Sequence, residues 1–136
     1  MITRITVTPA VRPTSGDSFT VANLGRLGEV ERFELSLPQF KRAIRGKVFL
    51  KGLLGLSGME VSVMTLPAGA AIPFLHCHRA HEELYLFIGG RGQMQVDCET
   101  FDVEEGSVVR AATEGSIPDA EAADDGKRVD KPVVWP

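Results

Sequence analysis

The apolar residues of the chain alternate with polar ones at a period of two far more often than they follow the 3.6-residue period of a helix. Between positions 59 and 66, for example, Met59, Val61 and Val63 share one face of an extended segment. Glycine and proline separate the short apolar runs, as they do in turns. The pattern predicts an all-β protein, with one helical turn near Leu37–Phe40 and no other helix. The predicted strands are Arg32–Leu37, Lys47–Gly55, Met59–Leu66, Glu82–Ile88, Gly92–Asp97, Thr100–Val103 and Ser107–Ala112.

Size and charge narrow the class of protein. With 136 residues, of which 43% are hydrophobic, the chain is expected to form a single domain over residues 1–136. A net charge of −3 with interleaved signs argues against nucleic acid or an anionic membrane as a partner. The basic segment Lys41–Lys51 is interpreted as a solvated face, with an anionic ligand as the alternative.

The N-terminus does not look like a signal peptide, and no apolar run has the length of a membrane span. The sequence therefore predicts a cytoplasmic protein with no membrane partner. In that compartment Cys77 and Cys98, which are not spaced as Cys-x-x-Cys, are expected to be free thiols.

All three histidines of the chain lie in one short stretch, FLHCHRAHEELYLFIGG. On a straight strand His76 and His78 would project from the same face, close enough to share one metal ion. Glu83, at the start of the next predicted strand, would complete a set of two imidazoles and one carboxylate. Such a set suits divalent Mn, Fe, Ni, Cu or Zn and leaves coordination positions open for water or substrate.

Candidate pocket residues lie on the strands that follow. Tyr85 and Phe87 continue the strand face of Glu83 and would form an apolar wall beside the ion. Gln93 and Gln95 share one face of their strand, and the alternation fits an inward, substrate-binding position and a solvent-facing one equally well. Arg110 is a candidate carboxylate-binding group, with a solvent-exposed arginine as the alternative.

With these residues the sequence resembles the cupin superfamily, whose first motif reads Gly, five residues, His-x-His, three or four residues, Glu, six residues, Gly. The motif positions in this chain are Gly69, His76, His78, Glu83 and Gly90. The first gap has six residues, and Glu83 fits better than Glu82 because six residues and a glycine follow it. Further stretches are similar to small single-domain bacterial cupins, so the resemblance covers most of the chain. It implies a small jelly-roll β-barrel in which His76, His78 and Glu83 bind a divalent transition metal.

The resemblance does not select a reaction, because cupins include dioxygenases, decarboxylases, isomerases, epimerases and non-catalytic binding domains. We interpret the chain as a metal-binding cupin that takes a small-molecule ligand, in the manner of a dioxygenase or an isomerase if it is an enzyme. The alternative is a non-catalytic small-molecule-binding or assembly domain whose metal site has degraded. The sequence does not decide between them, since the proton carriers near the site are His81 and Glu82 and no nucleophile has a partnered base.

The second cupin motif, which normally supplies a fourth ligand histidine, is missing. Counted from Gly106, its histidine position holds Ile117, which already belongs to the polar tail, residues 114–136. On the order of 20–30 residues of barrel are absent, so the barrel is expected to be incomplete at its C-terminal strands. Its open edges would have to pair with the N-terminal segment, with a tail strand at Lys131–Trp135, or with another chain, and we expect a homodimer with shared strands.

The loss of that ligand draws attention to His81. It follows His78 by three residues in the connecting loop and is a candidate replacement ligand from another direction. The alternative is a solvent-exposed loop histidine beside the acidic Glu82, because surface histidines are common.

Overall fold

The computed structural model describes residues 6–36, 43–72, 75–77, 81–96, 99–112 and 127–129. The predicted helical turn at Leu37–Phe40 and the predicted tail strand at Lys131–Trp135 lie outside these residues. Most of the regular structure in the described part is antiparallel β-sheet, which confirms the all-β class.

The strands are short and are numbered here along the chain. They are β1 (Thr6–Thr8), β2 (Thr14–Ser15), β3 (Thr20–Val21), β4 (Glu34–Ser36), β5 (Ile44–Arg45), β6 (Lys47–Phe49), β7 (Ser62–Met64), β8 (Leu75–Cys77), β9 (Glu83–Leu86), β10 (Arg91–Val96), β11 (Glu99–Glu104), β12 (Val108–Ala111) and β13 (Lys127–Val129). A 3₁₀ helix spans Leu27–Arg32 and a short α-helix, α1, spans Lys51–Leu54. The chain divides into two compact units, Met1–Ala71 and Ile72–Pro136, and the single domain over 1–136 stays a prediction.

The N-terminal unit is built on a small apolar core. Strands β1, β4 and β5 form an antiparallel sheet, β6 pairs with β7, and β2 pairs with β3. Val30 from the 3₁₀ helix, Phe33 from the following turn and Val48 from β6 are fully buried against one another. Each such side chain contributes about 1.5–3 kcal/mol when it leaves water, so this cluster holds the 3₁₀ helix against β6. The partly buried residues around it are Val7, Val11, Leu24, Leu50 and Val63.

The predicted strand Lys47–Gly55 is wrong in its second half, because β6 ends at Phe49 and α1 follows. The side chain of Glu60 accepts a hydrogen bond from the backbone amide of Lys51 at 3.0 Å and so satisfies a donor of the first turn. Gly55 adopts φ 69° and ψ 36°, the left-handed conformation that ends many helices. A short apolar run is compatible with a strand or a helix, and here the side chain of Glu60, from outside the run, stabilises the helix.

The predicted strand Arg32–Leu37 begins later than expected. Its first residue closes the 3₁₀ helix, and β4 starts at Glu34. The backbone amide of Phe33 donates to the carbonyl of Val30 at 3.0 Å, which completes the last turn before the chain becomes extended. The prediction of no helix beyond Leu37–Phe40 is therefore wrong for the described residues, which contain two short helical segments.

In the C-terminal unit the tail pairs with the strand that carries His76. Strands β8 and β13 are antiparallel, with His76 opposite Arg128 and Leu75 opposite Val129. The tail thus pairs with a strand of the same chain, which was one of the three predicted ways to cover an open edge. The paired residues are Lys127–Val129, whereas the sequence predicted Lys131–Trp135.

The other four strands of this unit form one antiparallel ribbon. Strand β9 pairs with β12, and β10 pairs with β11. Backbone hydrogen bonds between Phe87 and Ser107 (3.0 Å) and between Glu105 and Gly90 (3.1 Å) connect the two pairs. Between the paired segments, residues 87–90 face residues 105–107, so one strand carries one extra residue. This is an irregular bulge, because the Ser107 amide donates to the Glu104 carbonyl at 2.9 Å and closes a turn on the partner strand, and Gly90 and Gly106 have φ angles of 83° and 88°.

The bulge changes which residues face the sheltered side of the ribbon. Before it, the odd-numbered Glu83 and Tyr85 are half-buried, whereas Leu84 and Leu86 are exposed. After it, the even-numbered Met94 is opposite the half-buried Phe101. The partner strand has no extra residue, and its sheltered positions stay odd-numbered: Phe101, Val103, Ser107, Val109 and Ala111.

Candidate metal centre

Strand β9 places a carboxylate next to a phenol on its sheltered face. Glu83 and Tyr85 are two residues apart, so their side chains project from the same side of the strand, and both are half-buried. The Tyr85 hydroxyl donates a hydrogen bond to Oε2 of Glu83 at 2.6 Å. Phe87 follows on the same face and is also half-buried. The structure thus brings together three of the predicted site residues: Glu83, Tyr85 and Phe87.

The environment of Tyr85 keeps its phenol protonated. Burial raises the pKa of Tyr85 well above its ordinary value, and the hydrogen bond to Glu83 and the negative charge of Glu83 raise it further. The hydroxyl therefore remains a hydrogen-bond donor throughout the neutral pH range.

This pKa shift predicts how stability depends on pH. Because the unfolded chain ionises Tyr85 first, at its ordinary pKa of about 10, the stabilising contribution is complete below that pH and is lost as pH rises through the higher folded value. Tyr85 is the only tyrosine of the chain, so tyrosinate absorbance reports this residue alone. We expect no tyrosinate in the folded protein at pH about 10. We also expect the free energy of unfolding to fall more steeply above this pH in the wild type than in Tyr85→Phe. Half-ionisation at the ordinary pKa would contradict the assignment.

The neighbouring Glu82 lies in a different environment. It is exposed, and one of its carboxylate oxygens forms an ion pair with Nε of Arg110 at 2.5 Å. Arg110 is opposite Leu84 in the pairing of β12 with β9, on the outer face of the ribbon. The structure therefore does not bring Arg110 to the face of Glu83. The two adjacent glutamates differ in hydrogen-bond partner and in exposure, since Glu82 is exposed and pairs with Arg110 and Glu83 is half-buried and bonds to Tyr85.

The two glutamines do not share one environment either. Gln93 is exposed, and its Nε2 donates to Oδ1 of Asp102 at 3.1 Å across the β10–β11 hairpin. Gln95 is half-buried. An open groove of about 610 Å³ follows this hairpin, and Gln93 and Asp102 line it together with Arg91 and Glu104. Gly92, Val103 and Ser107 complete its lining, and neither Glu83 nor Tyr85 belongs to it.

The histidines are described only in part. His81 directly precedes β9 and is half-buried, and the backbone of His76 lies in β8. His78 lies outside the described residues. Within the described part of the chain no three His, Cys, Asp or Glu side chains lie together as a metal-binding group. The ligand set of His76, His78 and Glu83, and the role of His81, stay predictions.

Sequence reasoning missed two contacts, the Tyr85–Glu83 hydrogen bond and the Arg110–Glu82 ion pair. The i, i+2 spacing of Glu83 and Tyr85 was a usable signal, because strand residues at that spacing are neighbours on one face. The second contact depends on the register of β9 against β12, which joins residues far apart in the chain.

No protein-family model, curated protein or solved structure matches this chain. Among the residues that the structure describes, no helix is long and apolar enough to cross a membrane. The resemblance to cupins therefore comes from the sequence alone and stays a prediction.

Proposed function

We propose that the chain is a metal-binding cupin that holds a divalent Mn, Fe, Ni, Cu or Zn ion through His76, His78 and Glu83 in a small jelly-roll barrel. The observation that supports this most strongly is the environment of Glu83. Its carboxylate is half-buried and hydrogen-bonded to Tyr85, whereas the adjacent Glu82 is exposed and paired with Arg110. Of the two acids, the sheltered one is also the one at the motif position.

The donor types fit such an ion. Two neutral imidazoles and one carboxylate are common ligands of divalent transition metals, and they leave coordination positions open. A bound ion would supply a Lewis acid or an O₂-activating centre for a small ligand that binds through oxygen atoms. The chain itself contributes the half-buried ring of Tyr85 in contact with Glu83, and the half-buried Phe87 follows two residues further along the same face.

A homodimer is part of the proposal: the sequence predicts one with shared strands, and an exposed apolar face supports the association of two copies. Four large apolar side chains on the outer face of the β9–β12 ribbon are exposed: Leu84, Leu86, Ile88 and Val108. Leu84 alone leaves 73% of its surface open to solvent. A second copy of the chain would bury these side chains, and Glu82 and Arg110 at the border of the same face provide charges of both signs.

The test of the metal site is the substitution His76→Ala. We expect the wild type to bind Zn(II) or Mn(II) in isothermal titration and the variant to bind more than about 100-fold more weakly, because it loses an imidazole ligand. Circular dichroism and size-exclusion chromatography establish that fold and oligomeric state are retained. Equal affinity of wild type and variant would contradict the proposed function. The parallel variant His81→Ala shows whether His81 is also a ligand.

A further inference from the structure

We propose that Tyr85 is a positioning residue for the metal centre. The Tyr85 hydroxyl holds the Glu83 carboxylate in the orientation that binds the ion. The inference rests on the proposed function, because it needs Glu83 to be a ligand. Its geometric basis is the bond from the Tyr85 hydroxyl to Oε2 of Glu83 at 2.6 Å.

A carboxylate can hold a metal and accept this hydrogen bond at the same time. It has two oxygens and about four lone-pair positions, so coordination and a phenol donor are compatible. At 2.6 Å the contact has the length of a hydrogen bond to a charged acceptor, which is stronger than one between neutral groups. Carboxylate ligands in metal sites are commonly held by such outer partners, which set their orientation.

The backbone around Tyr85 makes the phenol a rigid donor. Tyr85 is opposite Val109 in the antiparallel pairing of β9 with β12, and Glu83 is opposite Ala111. On the outer face Glu82, which directly precedes β9, forms an ion pair with Arg110 of β12 next to this pairing. The two Cα atoms of the Glu83–Tyr85 pair are thus fixed by the sheet.

With the backbone fixed, the hydrogen bond selects among the rotamers of Glu83. A free glutamate side chain loses rotamer entropy when it binds an ion, and a side chain already held by a neighbour loses less. The hydroxyl of Tyr85 therefore raises metal affinity by preparing the ligand before the ion arrives. The aromatic ring alone, which fills space, does not supply this effect.

The variant Tyr85→Phe removes the hydroxyl and keeps the ring. We expect its affinity for Zn(II) to be about 10–100-fold weaker than that of the wild type, the usual effect of losing an outer partner. The visible absorption spectrum of bound Co(II) should also change, because the carboxylate is no longer held in one orientation. A purely structural role of Tyr85 would not alter this spectrum.

The matched control is Val109→Ala, which removes apolar contacts opposite Tyr85 and leaves the hydroxyl in place. We expect this variant to unfold more easily and to bind Zn(II) with wild-type affinity. Wild-type affinity in Tyr85→Phe, together with loss of binding in Glu83→Ala, would overturn the role of Tyr85 and leave the proposed function standing. A wild-type protein that binds no metal would overturn both.

A measurement on the wild type does not depend on the folding of any variant. Tyr85 is the only tyrosine, and the d¹⁰ ion Zn(II) has no absorption band in the near ultraviolet. Zn(II) can therefore be titrated while the tyrosine band is followed by ultraviolet difference spectroscopy. We expect the band to shift with the midpoint of metal binding. Metal binding without any change in that band would contradict the inference.

Discussion

Replacing Gly46 with alanine is expected to lower the free energy of unfolding by about 2–4 kcal/mol. Gly46 is buried between β5 and β6 and has φ 74°, a conformation that costs L-residues energy. A Cβ atom at this position would lie 2.6 Å from the backbone oxygen of Thr65. Because that neighbour is backbone rather than a flexible side chain, the clash can be relieved only by moving the chain.

Such a movement would also break backbone hydrogen bonds. The amide of Gly46 donates to the carbonyl of Phe33 at 2.9 Å, and its carbonyl accepts from the amide of Thr65 at 2.8 Å. Each bond contributes about 0.5–1.5 kcal/mol. Together they connect the end of the 3₁₀ segment, β6 and the residue after β7, close to the core residues Phe33 and Val48.

Urea-induced unfolding followed by circular dichroism measures this effect. The control is Gly28→Ala, at an exposed position within the 3₁₀ helix where a Cβ atom meets no other atom within 4 Å. We expect this control to be neutral or stabilising by up to about 1 kcal/mol. If Gly46→Ala were as stable as the control, the described turn between β5 and β6 would be wrong.

The second large effect is expected from Glu83→Ala, which should weaken Zn(II) binding more than about 100-fold. Glu83 would contribute the charged ligand of the proposed site, and its removal also leaves the Tyr85 hydroxyl without its acceptor. The adjacent Glu82 has the same chemistry but is exposed and paired with Arg110. Glu82→Ala should therefore leave Zn(II) affinity within about twofold, and should change stability by no more than about 1 kcal/mol.

The two variants form a matched pair, because they remove the same group from neighbouring positions. Isothermal titration with Zn(II) measures the affinities, and thermal unfolding checks that both variants are folded. Equal losses in the two variants would mean that bulk negative charge, rather than a specific carboxylate, attracts the ion. A larger loss of Zn(II) affinity in Glu82→Ala than in Glu83→Ala would show that Glu82, and not Glu83, is the ligand.

The sequence predicted strands β9 to β12 of the C-terminal unit well, because local rules decide them, and it missed β8 and β13. The alternation from Glu82 to Ile88 and the glycines at 89, 90 and 92 locate β9 and β10 within a few residues of their observed bounds. Strand β12 likewise lies within the predicted Ser107–Ala112. In these segments period, turn residues and strand propensity agree.

The elements that sequence reasoning missed are very short or depend on a residue elsewhere in the chain. Strands β1, β2, β3 and β5 have only two or three residues each, too few to show a period, and β1 exists through its pairing with β4. The first amide of helix α1, that of Lys51, donates to the side chain of Glu60, nine residues further along the chain. Among these four strands only the pairing of β1 with β4 joins distant segments, whereas β2 and β3 pair within Thr14–Val21 and were missed because each has two residues.

The same division applies to the candidate site. The common face of Glu83, Tyr85 and Phe87 follows from the period of a strand and was predicted. The positions of Gln93 and Gln95 were left open, because alternation does not say which face is sheltered, and the bulge that ends at Gly90 shifts the alternation by one residue. A two-glycine segment signals such a bulge but does not say which strand carries the extra residue.

The central claim is that this chain holds a metal ion, and metal content tests it most directly. The measurement is inductively coupled plasma mass spectrometry on untagged protein purified without chelators, with protein concentration from amino-acid analysis. The account predicts about one divalent transition-metal ion per chain. No bound metal, even after reconstitution with Mn(II), Fe(II), Ni(II) and Zn(II), would contradict it.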